Sequence, residues 1–283
     1  MGPLVAVGRT SVVHAYGAGA VVKVPRPEVP AHWAALEARN TASVRALGLP
    51  APQVLDVVTV GGRDAVVFER IDGDSMWQRM SRSDADVEAI ARDLAAIHRE
   101  ILSAGLPRAV PGLVDRMCRK IDEVGHLSES ERSEAAQLAR SLPHGAALLH
   151  GDLHPGNVLM GRRGHVVIDW FDAAIGHPAA DVVRSSILIR PSDGLAAPAH
   201  LPGAAPEVLA RVHDTYAVEM ADVLDVHVES LGAWESVVAA SRLAEGAQSD
   251  EWALVSLWER RASHRASAIL EAAISRGSPA GSR

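Results

Sequence analysis

The hydrophobic pattern changes period near residue 80. Ser11 to Tyr16 (SVVHAY) and Ala20 to Val24 (AVVKV) are rich in β-branched residues and flank Gly17-Ala18-Gly19, which predicts a β-hairpin. Val54 to Val60 and Ala65 to Arg70 repeat the arrangement around Gly61-Gly62, a pair suited to the positive φ of a tight turn. Between the hairpins, Pro30 to Leu47 predicts a helix. Trp33, Leu36, Val44 and Leu47 fall near helical spacing, and Gly48-Leu49-Pro50 ends it. From Ser83 onward the period becomes helical. Val87, Ile90, Leu94, Ile97 and Ile101 make one stripe, with Ser83 as the expected N-cap and Gly105 as the expected stop. A β-rich region follows at 147–168. Helices are then expected over 206–230, 233–248 and 252–275, and Pro191 to Pro206 reads as a loop rich in Pro, Ala and Gly. The expected fold class is α+β, with a small antiparallel-sheet lobe before a larger, mostly helical one.

Composition narrows this. The chain has 283 residues, enough for two lobes at about 150 residues per domain. It is 48% hydrophobic and 22% charged, which supports a real core, but only 4% aromatic, so Val, Leu, Ile and Ala must fill most of it. Cys118 stands alone, so no intrachain disulfide forms, which fits a reducing cytoplasm. No apolar run approaches the ~20 residues of a membrane-spanning helix, so a membrane is not an expected partner. The opening MGPLVAVGRTSVV lacks a basic region and a continuous apolar one, so it does not read as a secretory signal, and Ala6 does not fit a myristoylation site.

The net charge is −7, divided as +1 over residues 1–80 and −8 over residues 81–283. Neither part shows the basic stripe that nucleic acid requires. The acidic larger part suits a cationic small molecule. The oligomeric state is not legible.

The chemistry concentrates in Leu148 to Trp170, LLHGDLHPGNVLMGRRGHVVIDW. Asp152 and Asn157 lie five apart in a loop broken by Pro155-Gly156. Asp169 follows twelve residues after Asn157, at the end of Val166-Val167-Ile168. The intervening segment reads as a hairpin turning at Gly161 and Gly164. A hairpin returns the chain to its start, so Asn157 and Asp169 should lie close together. Two hard oxygen ligands so placed suit Mg²⁺. A nearby carboxylate, Asp152, can accept a proton from an attacking hydroxyl. His150 and His154 have the HxxxH spacing of a zinc pair, but Pro155-Gly156 opposes the helix that pair needs.

An Asp base, an Asn five positions on and a metal-binding Asp after a hairpin resemble the kinase template. The wording here, HGDLHPGN then IDW, is similar to the aminoglycoside phosphotransferase family of small-molecule kinases, over about 180 residues from Val7 to Ile187. The resemblance implies a bilobal, protein-kinase-like fold. Residues 1–70 would be the nucleotide-binding lobe, 71–82 the hinge and connector, and 83–283 the helical lobe with catalytic loop and substrate site. It implies that Asp152 is the catalytic base and that Asn157 and Asp169 hold Mg²⁺. Gly176, Pro178 and Asp181 match the Gly-x-Pro-x-x-Asp pattern that follows, whose Asp, here Asp181, braces the catalytic loop. The phosphate-covering loop falls at Gly8 to Tyr16, with Gly8 and Ser11 at the nucleotide, although only one glycine of the usual three is present. Lys23 would contact the α- and β-phosphates, with Glu37 as its supporting carboxylate. Backbone groups from Glu69 to Ile71 would meet the adenine edge.

The expected reaction is transfer of the γ-phosphoryl group of ATP to a hydroxyl of a small molecule, an aminoglycoside-like or other cationic antibiotic. A metabolite kinase acting on choline or a sugar is the alternative. A metal-dependent hydrolase built on His150, Asp152, His154, Asp169 and His177 is a further rival, as is a non-catalytic nucleotide-binding module. Trp234, Trp252 and Trp258 are expected in the core. Asp214, Glu219, Asp222, Asp225 and Glu229 are expected on a solvated face.

Overall fold

In the computed structural model, which describes residues 1–259 apart from 31, 83–84, 163, 191–202, 204, 222–227 and 247–250, one antiparallel sheet occupies the first 69 residues. Its strands are β1 (Leu4–Val7), β2 (Ser11–Ala15), β3 (Ala20–Pro25), β4 (Val54–Val60) and β5 (Arg63–Glu69), in the order β1-β2-β3-β5-β4. Both expected hairpins form. Gly61 and Gly62 turn the second with φ of 57° and 81°, a conformation that other residues adopt only with strain. Strand β1 was not expected. All four of its residues are exposed, so no alternation of buried and solvated positions marks it.

Alternation gives this sheet two different faces. Ala20 and Val22 of β3 pack with Ala65 and Val67 of β5. Val66 and Phe68 pack on the opposite side with Ala34 and Ala38 of helix α1 (Trp33–Arg45). Lys23 lies opposite Val66 in the register, so it shares the helix-facing side. The helix was expected, but its buried face was not. Ala34, Glu37, Ala38, Asn40, Thr41 and Val44 are buried, whereas Leu47 is exposed. Polar residues occupy this face because it looks into the site.

The rest of the chain is mostly helical. Strand β6 (Gly73–Ser75) and helix α2 (Met76–Met80) follow the first sheet, then α3 (Val87–Leu102), α4 (Leu113–Asp122) and α5 (Glu129–Ser141). Strands β7 (Ala147–Leu149), β8 (Val158–Gly161), β9 (Gly164–Val167) and β10 (Ala174–Gly176) precede α6 (Pro178–Ile189), α7 (Pro206–Met220), α8 (Val228–Leu243) and α9 (Glu251–Glu259). Strand β6 pairs with β8, so 73–75, expected in the connector, is part of a sheet in the helical lobe.

The expected stripe of α3 is buried at Val87, Leu94, Ile97 and Ile101, with Ile90 partly covered. Ser83 lies outside the described residues. The cap of α3 is Asp86, whose side chain accepts from the Ala89 N–H at 2.9 Å, and the helix ends three residues before Gly105. The expected helix over 206–230 stops at Met220, and Val228 begins the next one. Residues 260–275, most of Pro191 to Pro206, Asp222, Asp225 and the side chain of Glu229 lie outside the described residues. Asp214 and Glu219 are partly exposed. Trp234 and Trp258 are buried, as expected, but Trp252 is 66% exposed. Helices α4, α5 and α6 were not expected. The capping box at Ser128 and Glu131 was the available mark of α5. No described helix is long and apolar enough to cross a membrane.

Candidate active site

Lys23 joins the two lobes. Its Nζ lies 2.7 Å from Oε1 of Glu37 on α1 and 3.0 Å from Oδ1 of Asp169, after β9. The strand register turned Lys23 toward α1, and the first turns of that helix present Glu37. Burial by itself would lower the ammonium's pKa, but Asp169 and then Glu37 overrule it and hold it above its ordinary value. Burial pushes Glu37 up to about 7, against the pull of Lys23 and with the charge of Asp169 adding.

The hairpin of β8 and β9 does what its spacing implied. Val158 pairs with Val167, and the Ile168 N–H donates to the Asn157 carbonyl at 2.9 Å, so Asn157 and Asp169 flank the same end. Asp169 has φ 67° and ψ 57°, the only positive φ at a non-glycine among the described residues. Asp tolerates this left-handed conformation better than most residues, but it still stores strain at a site that fixes one carboxylate. The Asn157 Nδ2 donates to the Asp152 carbonyl at 2.9 Å and lies 3.4 Å from Asp152 Oδ2. Its amide oxygen is therefore the atom left for a metal. That oxygen and the Asp169 carboxylate form a hard-oxygen donor set that fits Mg²⁺.

Asp181, in the first turn of α6, holds two N–H groups of the loop that carries Asp152. Its buried carboxylate accepts from the His150 N–H at 2.7 Å and the Gly151 N–H at 2.8 Å. It also pairs with His98 Nε2 at 3.0 Å, and His98 Nδ1 lies 2.6 Å from the Tyr216 hydroxyl. Burial would raise the pKa of Asp181, but His98 and the loop N–H groups hold it below its usual value. Gly151 has φ 79°, and a Cβ there would meet the Asp172 carbonyl at 2.2 Å, so only glycine fits immediately before Asp152.

The other expected nucleotide residues are placed as follows. Gly8 and Ser11 close the β1–β2 turn, with the Gly8 N–H donating to the Ser11 carbonyl at 2.8 Å. Arg26 fastens that turn by donating to the Gly8 carbonyl at 3.1 and 3.2 Å. The Glu69 N–H goes to Gln53 and the Arg70 N–H to Gly19, both at 2.9 Å, and the Glu69 carboxylate accepts from the Gln53 N–H. Of the three expected hinge residues, Ile71 is the one whose N–H has no backbone acceptor among the described residues.

The sequence reading missed Asn40 and a charged cluster. Asn40 Nδ2 donates to the carbonyls of Trp170 and Phe171 at 3.1 and 3.2 Å, and Trp33 stacks on Phe171 at 3.9 Å. Asp152 Oδ1 lies 2.9 Å from Arg184 Nη2. Arg184 also reaches Asp172 at 3.2 Å and Glu245 at 2.8 Å. Arg184 sits three residues after Asp181, nearly one helical turn on, which was the available mark of its place beside the loop.

The histidines do not assemble a metal centre. His150 Nδ1 accepts from the Asp152 N–H at 3.1 Å while its Nε2 donates to the Ile168 carbonyl at 3.0 Å, so both ring nitrogens are used. His154 and His177 each accept a backbone N–H through Nδ1, capping the turns they precede. Among the described residues no group of three metal-binding side chains comes together.

A two-lobed fold with a lysine–glutamate pair, a braced Asp loop and a second Asp at the cleft defines a protein-kinase-like phosphotransferase. The chain belongs to the phosphotransferase enzyme family (APH), whose profile matches residues 8–213. The structure is similar to aminoglycoside 3′-phosphotransferase of type VIII, with 22% identity, 86% of this chain and 92% of that one covered, and a TM-score of 0.55. It is similar to the GDP complex of aminoglycoside 2′-phosphotransferase-IIIa, with 17% identity, coverages of 97% and 92%, and a TM-score of 0.52. It is also similar to a choline/ethanolamine kinase family protein from Mesorhizobium loti, with 16% identity, coverages of 97% and 93%, and a TM-score of 0.53. At these identities the likeness is one of fold. No curated protein sequence matches the chain.

Proposed function

We propose that this small-molecule kinase moves the γ-phosphoryl group of ATP to an alcohol. The observation that carries the reading is Lys23, held 2.7 Å from Glu37 and 3.0 Å from Asp169 beside the loop that presents Asp152 and Asn157. In this assignment residues 1–70 form the nucleotide lobe, 71–82 the hinge and connector, and 83–283 the lobe that holds the acceptor. Lys23 orients the α- and β-phosphates, and Glu37 holds Lys23. Gly8 and Ser11 shape the turn over the phosphates, and Glu69 to Ile71 face the adenine. Asn157 and Asp169 would hold Mg²⁺, which when bound neutralises charge on the phosphates. Asp152 accepts the proton of the acceptor hydroxyl as its oxygen bonds to the γ-phosphorus. The bridging bond to the β-phosphate breaks, and ADP leaves with that electron pair. Solved structures similar to this chain hold ADP, GDP or AMP-PNP, which supports a nucleoside triphosphate as donor.

For the acceptor, an amine-bearing antibiotic draws support from similar structures that hold streptomycin or gentamicin. Choline or a sugar is the alternative.

The test is Asp152→Asn in an ADP-release assay over a panel of hydroxylated compounds. The expected loss in kcat is ~10²–10⁴-fold, the usual span of a general-base contribution. The affinity for ATP with Mg²⁺ should change little, because Asp152 acts on the acceptor. A variant that turns over within a few-fold of wild type would remove Asp152 from the base role.

A further inference from the structure

Three largely buried cations gather beside Asp152. A cavity of about 40 Å³ lies against the catalytic loop, lined by Arg116, Lys120, Arg184 and Asp172 with Leu113 and Met117. Asp181 also borders it, but both of its oxygens already accept hydrogen bonds from the loop and from His98. Asp172 pairs with Arg116, with Lys120 at 3.1 Å and with Arg184 at 3.2 Å. Glu245 pairs with Arg184 at 2.8 Å, Lys120 at 3.0 Å, Arg9 at 3.2 Å and Arg242 at 3.6 Å. Among the described residues, Arg116, Lys120 and Arg184, all largely buried, thus share the carboxylates of Asp152, Asp172 and Glu245, and Glu245 also meets Arg242 and the half-exposed Arg9.

The cavity wall itself carries three cations beside the one carboxylate, Asp172, that the loop does not already use, and an anion placed between them would complete the set. The strain is visible in the groups themselves. Burial, with repulsion from Arg184 and Arg116, brings Lys120 down to about 8. Burial and Arg184 bring Arg116 down to about 10. The side chain of Arg184 is only 9% exposed, and its buried Nε finds no acceptor among the described residues. An ammonium group placed here would add to the repulsion. A carboxylate or phosphate would relieve it.

We propose that the acceptor is a hydroxylated acid whose anionic group enters the cavity between Arg116, Lys120 and Arg184 and sets its hydroxyl against Asp152. This rests on the phosphoryl-transfer reading above. The cavity has room for on the order of three waters, which accommodates a carboxylate. Arg184 is the link between recognition and chemistry, because its Nη2 touches Asp152 Oδ1 at 2.9 Å. An arriving anion competes for that guanidinium, and the fork geometry of arginine favours carboxylate and phosphate oxygens. Asp152 Oδ1 is then open to the acceptor hydroxyl. The −8 of the lobe does not decide the matter, since surface charge farther than about 8 Å away is largely screened at physiological salt.

The test uses four probes with the same six-carbon polyol chain: gluconate, glucitol 6-phosphate, glucitol and glucamine. Their affinities are measured by calorimetry on the full chain saturated with AMP-PNP and Mg²⁺. Gluconate or glucitol 6-phosphate should bind at least about ten-fold more tightly than glucitol and glucamine, since hydrogen bonds to charged groups exceed the 1.4 kcal/mol of one decade. The tighter of the two names the anion. Lys120→Met and Arg116→Gln should each remove most of the preference, and retained AMP-PNP binding shows that these variants fold. Equal affinities, or a preference for glucamine, would overturn the acid acceptor and leave the kinase reading intact. A preference for acids that survives both substitutions would overturn the cavity as its source. Failure of the wild-type protein to bind AMP-PNP would instead count against the phosphotransfer reading itself.

Discussion

Asn40 Nδ2 on α1 donates to the carbonyls of both Trp170 and Phe171, at 3.1 and 3.2 Å. One amide therefore ties the helix that carries Glu37 to the turn that follows Asp169. The two carboxylates around Lys23 come from different lobes, and this bond holds them in register.

Asn40→Ala should loosen that tie. Second-layer partners of metal-holding residues usually contribute ~10–100-fold to affinity or activity, and the lower half of that range is expected for ATP with Mg²⁺. The stability cost should be small, about 1 kcal/mol, because the substitution also removes the buried Asn40 Oδ1, which has no partner among the described residues. Calorimetry of nucleotide binding and a thermal melt measure the two effects. Unchanged nucleotide affinity would show that α1 does not position Asp169.

Asp181→Asn should damage both stability and catalysis. The carboxylate accepts from two loop N–H groups and pairs with His98, and an amide can satisfy only part of that set. A buried donor left without its acceptor costs about 1–3 kcal/mol. The wild-type carboxylate also carries a pH signature. Its folded pKa lies below its ordinary value, so its stabilisation is complete above pH 3.8 and is lost as pH falls through the folded pKa. In the Asn variant that acid-side loss should disappear from urea unfolding measured against pH.

Lys23→Met should leave a folded protein of low activity. The methionine stem fits a strand whose neighbours are apolar, and Glu37, already pushed up to about 7 by burial, can take up a proton once its partner is gone. Removing a fixed charge that meets the phosphates should cost ~10²–10³-fold in kcat. A cooperative melt with kinetics at wild-type level would take Lys23 out of the site.

Acid should draw on stability through a buried histidine. Burial, and then the charge of Arg190, bring His213 down to about 4 from an ordinary 6.5. Below pH 6.5 the unfolded chain binds a proton at this position that the folded chain does not, so the contribution of His213 to stability falls as pH drops from 6.5 toward 4. The full effect is on the order of 2–3 kcal/mol. Burial depresses His150 in the same direction. Glu37, pushed up to about 7 from an ordinary 4.5, takes up its proton earlier in the folded chain and works in the opposite direction over the same window, so the check is a difference: on acidification, denaturant midpoints should fall more, or rise less, in the wild type than in His213→Gln. Identical slopes would mean that His213 is not the group responsible.

The chain's local chemistry settled much of this protein before any contact was known. Two-residue alternation around glycine pairs specified the hairpins of β2–β3 and β4–β5, and the spacing of Val87, Leu94, Ile97 and Ile101 specified α3, because each depends on neighbours close in sequence. The meeting of Asn157 and Asp169 was legible for the same reason, since a hairpin fixes the distance between its ends. Strand β1 and the polar face of α1 were not legible. An exposed strand leaves no burial pattern, and a helix face turned to an active site carries Glu37 and Asn40 where a core face carries leucine. The cationic cluster was beyond reach altogether. Arg9, the pair Arg116 and Lys120 on α4, Arg184 and Glu245 come from four separate parts of the chain. Summing charge along residues 81–283 gives an acidic lobe, but the field at Asp152 depends on which charges fold to within a few ångströms of it. Only the tertiary structure decides that, because Coulomb energy follows distance in space and not position in sequence.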